Sequence, residues 1–159
     1  MNWIDTGCGN WALTAQVAKL CSQVHLLGID ASGAQIKFAR NRSIEHHVTF
    51  QTGDAMSLEN ENNSMDIVTM ALVIYFIPDP ILCMAEVKRV VKPGGIIAAY
   101  VWDVFGGGMP LAPLHRELHK IKIEHQLPPK AEVSKLDELK QLWISADLKS
   151  TECKQIRVS

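Results

Sequence analysis

The chain has 159 residues, with 16 Lys and Arg against 17 Asp and Glu, and a net charge of −1 that offers no field to steer nucleic acid or an anionic membrane toward it. Apolar residues make up 47%, and a chain of this length buries about 68–70% of its unfolded surface, so a single globular domain is expected. No apolar run reaches the roughly 18 residues of a membrane span, and the first residues lack the basic and apolar regions of a secretory signal.

In chain order, Trp3-Ile4-Asp5-Thr6-Gly7-Cys8-Gly9-Asn10 reads as a short buried strand that stops at an acid, breaks into a glycine turn and enters a helix over 11–21. A second apolar run, 24–29, ends at Asp30, and Ala31-Ser32-Gly33 opens a helix to about Arg42 with Ala34, Phe38 and Ala39 facing inward. Val48-Thr49-Phe50-Gln51 is a third strand, ending at Gly53-Asp54-Ala55, and the polar stretch 59–64 is a solvated loop. A fourth strand, 66–70, leads into an apolar loop closed by Pro78-Asp79-Pro80. Residues 81–91 are apolar at helical spacing, and Lys92-Pro93-Gly94-Gly95 stops that helix. A fifth buried strand, 96–102, ends at Asp103.

Beyond it, Gly106-Gly107-Gly108 is a flexible link, 111–126 a helix outside the sheet core ended by Pro128-Pro129, and 136–148 another helix with Leu136, Leu139, Leu142 and Trp143 on one face. Residues 152–158 read as a sixth strand. The alternation predicts an α/β fold: a Rossmann-like, doubly wound, mostly parallel sheet with helices on both faces. One domain spans 1–159, with a cofactor-binding core in 1–103 and a helical insertion plus the last helix and strand in 104–159. The cysteines Cys8, Cys21, Cys83 and Cys153 form no CxxC pair, and they read as free thiols of a reducing cytoplasm rather than zinc ligands.

The chemistry starts at Asp5. Dinucleotide turns use the same two glycines to bring backbone N–H groups against a pyrophosphate, and a carboxylate two residues before the first glycine repels that anion. A second acid, Asp30, lies 21 residues beyond Gly9, about the spacing at which an acid reaches a ribose hydroxyl. The pair points to a nucleoside without phosphate, and S-adenosyl-L-methionine is the obvious one.

These residues resemble the class I S-adenosylmethionine-dependent methyltransferases, in particular the small-molecule, UbiE-like (methyltransferase type 11) kind, from Trp3 to Asp103. The resemblance implies that Asp5-Thr6-Gly7-Cys8-Gly9 approaches the methionine part of the cofactor. Asp30, followed by Ala31, matches the acid that binds both ribose hydroxyls. Asp54, with Ala55 beside it, matches the residue that receives the adenine amino group, and Ala71-Leu72 the segment near the sulfur. Ser64-Met65-Asp66-Ile67-Val68 is similar to the family's fourth-strand start, and Arg89-Val90-Val91-Lys92-Pro93-Gly94-Gly95 to the segment before its fifth strand. Three departures stand out. Trp11 occupies the place of a third glycine, where its ring either crowds the methionine carboxylate or packs away on a neighbour; Gly7, Gly9 and Ala12 also fit a GxGxxA turn. The family's helix before the first strand and its final antiparallel strand have no counterpart in the 159 residues, which implies a chain shortened at both ends.

Methyl transfer from a sulfonium needs a nucleophile held in line at about 3–3.5 Å, with a base only for poor nucleophiles. Tyr75, after the fourth strand, and Asp103, at the exit of the fifth, are the catalytic candidates; each also reads plainly, as core and as a cap. Asp5, Asp30 and Asp54 have a similar plain reading as caps or turn residues. His115 and His119, four apart on one helical face, read as a solvated face, and no metal is expected. The expected function is methyl transfer to a small-molecule acceptor, with no nucleic-acid or membrane partner. Its competitors are an NAD(P)-dependent oxidoreductase, favoured by the GxGxxA fit and Asp30, and a catalytically inactive fragment or interaction module, raised by Trp11 and the shortened ends.

Overall fold

The computed structural model describes residues 1–42, 47–124 and 126–157. Among these, β1 (Asn2–Thr6), β2 (His25–Asp30), β3 (Val48–Thr52), β4 (Met65–Ala71) and β5 (Val91–Tyr100) form one sheet in the order β3-β2-β1-β4-β5, and every pairing is parallel. The helices are α1 (Ala12–Leu20), α2 (Gly33–Arg42), α3 (Pro80–Val90), α4 (Ala112–Lys120) and α5 (Leu136–Ser145), with single 3-10 turns at Ile74–Phe76 and Ala131–Ser134.

Strand side chains alternate between faces, so two cores form. Leu26, Val48 and Phe50 pack under Val17, Ala18, Ile36 and Ala39 of α1 and α2. Ile4, Ile29, Val68 and Met70 pack on the other side under Cys83, Met84 and Val87 of α3 and Leu142 and Trp143 of α5. The expected sheet with helices on both faces is therefore what forms. Helix α3 shows the local logic. Asp79 Oδ1 accepts the N–H groups of Ile81 and Leu82, each at 3.0 Å, Pro80 fills the first turn, and Lys88 and Arg89 sit in the last. Arg89 also pins the polar 58–62 loop, donating to Leu58 O, Asn60 O and Asn62 Oδ1 while paired with Glu86.

Several elements differ from the sequence reading. The inner face of α2 is Ile36 and Ala39, whereas Ala34 is exposed and Phe38 lies outside under the Arg42 guanidinium, 5.3 Å from its ring centroid. Strand β5 starts at Val91, directly after α3: Met65 pairs with Val91 and Ile67 with Ile96, so Lys92-Pro93-Gly94-Gly95 is looped out as a bulge. Gly94 there has φ +80, and a Cβ on Gly95 would lie 2.8 Å from Asp66 O. Helix α4 is shorter than 111–126 (His125 lies outside the described residues), and α5 ends at Ser145. Residues 152–157 form no strand, because β5 pairs only with β4 and Gln155 bonds to Asp103 instead; Val158, the end of that expected strand, lies outside the described residues. No helix among the described residues is long and apolar enough to cross a membrane.

Candidate functional site

Parallel pairing brings the C-terminal ends of β1, β2, β3 and β4 to one edge. The strand order switches direction at β1, which has β2 on one side and β4 on the other, and open α/β sheets hold ligands in the crevice at such a switch point. The glycine turn sits there. Gly7 has φ +69, and a Cβ on it would lie 2.2 Å from Val73 Cγ2, so only glycine lets the turn pack against the segment after β4. Gly9 has φ +53 and faces open space.

The turn's donors point inward. Gly7 and Cys8 both donate their N–H to Ile29 O, at 2.7 and 3.0 Å, and Trp11 donates to Cys8 O at 3.0 Å. The Gly9 N–H goes to Asp30 Oδ2 at 2.9 Å. Four N–H groups of the turn are thus bonded within the protein, one of them to an anion, while the first turn of α1 has no side-chain cap. Asp30 Oδ1 also accepts the Ser32 N–H at 2.8 Å. A carboxylate has about four acceptor positions, so roughly two remain for hydroxyl donors.

Gly53 N–H donates to Asp30 O at 3.0 Å, which sets the loops after β2 and β3 side by side. Asp54 is exposed, with one carboxylate oxygen accepting the Met56 N–H at 2.8 Å. Ala31 is exposed, and Ala55, Ala71 and Leu72 are half-buried. Leu72 has φ +57 and donates its N–H to Tyr100 O at 2.9 Å. Gly7, Cys8, Gly9, Asp30, Ala31, Asp54, Ala55, Ala71 and Leu72 therefore share one edge of the sheet.

Asp5 departs from this set. It was expected to meet a ligand, but it is only 1% exposed and turned under α1. Thr14 Oγ1 donates to its Oδ2 at 2.6 Å and Thr69 Oγ1 lies 3.1 Å from its Oδ1. The reason is alternation: Asp5 shares a face with Trp3, is in register with Thr69, and α1 covers that face. Burial pushes its carboxyl up to about 6 against the pull of the two threonines, and the charge of Asp30 adds to the rise.

A carboxyl raised above its ordinary 3.8 is a stabilising group below about pH 4, and that stabilisation is lost as pH climbs to about 6. We expect Asp5→Asn to gain on the parent across that window, reaching about 3 kcal/mol above pH 6. The amide oxygen still accepts from Thr14 and the amide N–H faces Thr69. Urea melts at pH 4, 5, 6 and 7 check this; a stability difference that is flat with pH rules it out.

Trp11 stands at the start of α1 with φ +84, where a glycine would be unstrained. Its ring packs edge-on against Phe50, with centroids 6.4 Å apart, so the packed alternative is the one the structure shows. Cys8 is buried, and burial together with the charges of Asp5 and Asp30 pushes its thiol up to about 12, an inert side chain. Tyr75 is buried with its ring edge-on to Phe76, and burial raises its phenol; it sits as core. Asp103 closes its own turn, its Oδ1 accepting the Gly106 N–H at 2.7 Å and its carbonyl the Gly108 N–H at 3.0 Å.

The sequence reading missed Thr14, Thr69 and Gly28. A Cβ on Gly28 would lie 2.6 Å from the Phe50 ring and 3.0 Å from Cys8 Sγ, so this glycine lets β2 run close beneath the turn. A glycine inside an apolar strand is the signal that could have marked it. A cleft of about 570 Å³ lies away from this edge, beside α3 and the end of α5; its Lys88 is spent on Ala146 O and Asp147. Among the described residues no three His, Cys, Asp or Glu side chains come together as a metal site.

Residues 4–99 match the family described as "Methyltransferase domain". The chain belongs to this methyltransferase family. Demethylmenaquinone methyltransferase of Staphylococcus saprophyticus is 26% identical over 127 residues, 79% of this chain and 52% of that protein. The chain spans about half the length of the curated relatives it matches. In fold, this methyltransferase domain is similar to a SAM-dependent methyltransferase from Aquifex aeolicus (TM-score 0.69, 20% identity, 92% of this chain and 71% of that one). It is also similar to a Haemonchus contortus phosphoethanolamine N-methyltransferase bound to phosphomonomethylethanolamine and S-adenosylhomocysteine (TM-score 0.71, 20% identity, 94% of this chain and 33% of that one).

Proposed function

We propose that this methyltransferase domain binds S-adenosyl-L-methionine at the β1–β4 crevice and transfers its methyl group to a small-molecule acceptor. The observation that carries the reading is Asp30 beside the glycine turn: it holds the Gly9 and Ser32 N–H groups and keeps carboxylate acceptors for hydroxyl groups. That acceptor set fits the ribose of an adenosine, and membership of the methyltransferase family favours S-adenosyl-L-methionine over a nicotinamide dinucleotide. The relatives named as demethylmenaquinone methyltransferases support a small-molecule acceptor.

When bound, the cofactor supplies an already activated methyl group on a sulfonium. Asp30, with Ala31 behind it, binds the two ribose hydroxyls, and Asp54 with Ala55 receives the adenine amino group. Gly7, Cys8 and Gly9 would hold the methionine portion, and Ala71 and Leu72 would line the site near the sulfur. Asp5 acts from beneath as a positioning residue, tying β1 and β4 to α1. Holding the acceptor in line supplies several kcal/mol without a fixed base. Free thiols at Cys8, Cys21, Cys83 and Cys153 fit work in the cytoplasm.

Calorimetry with S-adenosylhomocysteine and NAD on the same preparation tests the reading. We expect heat from the first and none from the second, and NAD binding in the absence of S-adenosylhomocysteine binding overturns it.

A further inference from the structure

The N-terminal ends of the strands lie at the opposite edge of the sheet from the crevice, and they hold two histidines side by side. The ladder between β2 and β3 begins with Leu26 paired to Val48, so His25 and His47 stand one residue earlier on adjacent strands. Asn2 of β1 is in register with His25 on its other side. All three residues line one cleft of about 210 Å³, together with Thr49.

Both backbones are pinned. The His25 N–H donates to Met1 O at 2.8 Å, and His47 O accepts the Leu26 N–H at 2.9 Å. The two imidazoles are not committed. His47 Nε2 is buried without a hydrogen-bond partner, and the exposed His25 ring is bonded to nothing among the described residues. A buried polar atom left in that condition is costly, and buried polar groups are as a rule paired. Asn2 Nδ2 donates to Ser64 O at 3.2 Å, which keeps its amide oxygen as an acceptor.

We propose that His25 and His47 together bind a borderline divalent transition-metal ion of the nickel and zinc class, with the Asn2 amide oxygen as a further donor. Neighbouring strands lie about 4.7–4.9 Å apart, close enough for two rings to converge on one ion with each nitrogen at about 2.0–2.1 Å from it. Imidazole nitrogen suits nickel, zinc and copper, whereas magnesium and calcium need carboxylate oxygens that the lining of this cleft does not supply. No cysteine lines it either, so the site is an open one and not a closed structural zinc centre. The ion clips the starts of β2 and β3, roughly 16 Å along β2 from Asp30. It therefore acts on the stability of the sheet, independently of the methyl-transfer reading.

The test is calorimetry and thermal melting of the full, untagged chain with Ni²⁺ alone, since the free thiols draw zinc and copper more strongly. We expect one Ni²⁺ per chain and, at a hundredfold excess over Kd, a melting temperature raised by about 5–10 °C. His25→Gln and His47→Gln should each weaken binding at least tenfold and erase that shift. His25 is exposed, so its variant should melt like the parent without metal and keeps the test decisive if the His47 variant folds poorly. Replacing His115 and His119 together by Gln removes the other histidine pair and should leave Ni²⁺ affinity within twofold. A parent that shows no Ni²⁺-dependent shift overturns the site. So does binding that survives both single variants, or that disappears with the pair on α4.

Discussion

Replacing Asp30 by alanine is expected to weaken S-adenosylhomocysteine binding by about 1.5–3 kcal/mol, roughly 10- to 150-fold. Hydrogen bonds to a charged acceptor lie in that range, and the carboxylate has two acceptor positions left after Gly9 and Ser32 are served. The same change releases the Gly9 N–H and loosens the turn, so part of the loss comes from a less ordered site. Calorimetry on Asp30→Ala and Asp30→Asn separates the contributions. Asparagine keeps an acceptor for the turn but only one side-chain oxygen, so it is expected to fall between the parent and alanine. Affinity equal to the parent in both variants would show that Asp30 serves the turn alone.

Gly7→Ala is expected to destabilise the fold itself, by about 2–4 kcal/mol. The added Cβ meets Val73 Cγ2 at 2.2 Å and Val73 Cβ at 2.6 Å, neither of them the loose end of a long chain. Overpacking of this kind costs about 1–3 kcal/mol, and a side chain at φ +69 adds about 1 kcal/mol more. For a domain of this size the melting temperature should drop by roughly 5–15 °C. Thermal denaturation followed by circular dichroism checks it, and a shift under about 2 °C would mean the 72–73 segment yields freely. Gly9→Ala is the contrasting case, since a Cβ there meets nothing within 4 Å and only the φ strain remains.

Much of the site was readable because strand ends in a parallel sheet gather at one edge. Once the runs ending at Asp5, Asp30, Gly53 and Met70 are taken as parallel strands, the glycine turn, Asp30 and Asp54 must be neighbours. What the pattern does not carry is which way a residue turns at the end of a strand. Asp5 is one residue from the turn, but the pleat sends it beneath α1, where Thr14 meets it from nine residues ahead. The face of α2 held only at Ala39: Ala34 and Phe38 also obey a helical spacing, but so does Ile36, and only the docking of α2 on β3 decides between them. The bulge in β5 has no period at all. It comes from β4 and β5 needing unequal numbers of residues between two fixed pairings.

That inequality gives the sheet a splice point. Between Met65 and Ile67 the partner strand spends the whole stretch from Val91 to Ile96, and Gly94 bows away from every neighbour. Chain length can therefore vary at the Pro93–Gly94 junction without sliding the ladder that runs from Ile96 to Tyr100. The crevice at the far end of β4 is mechanically insulated from insertions made there.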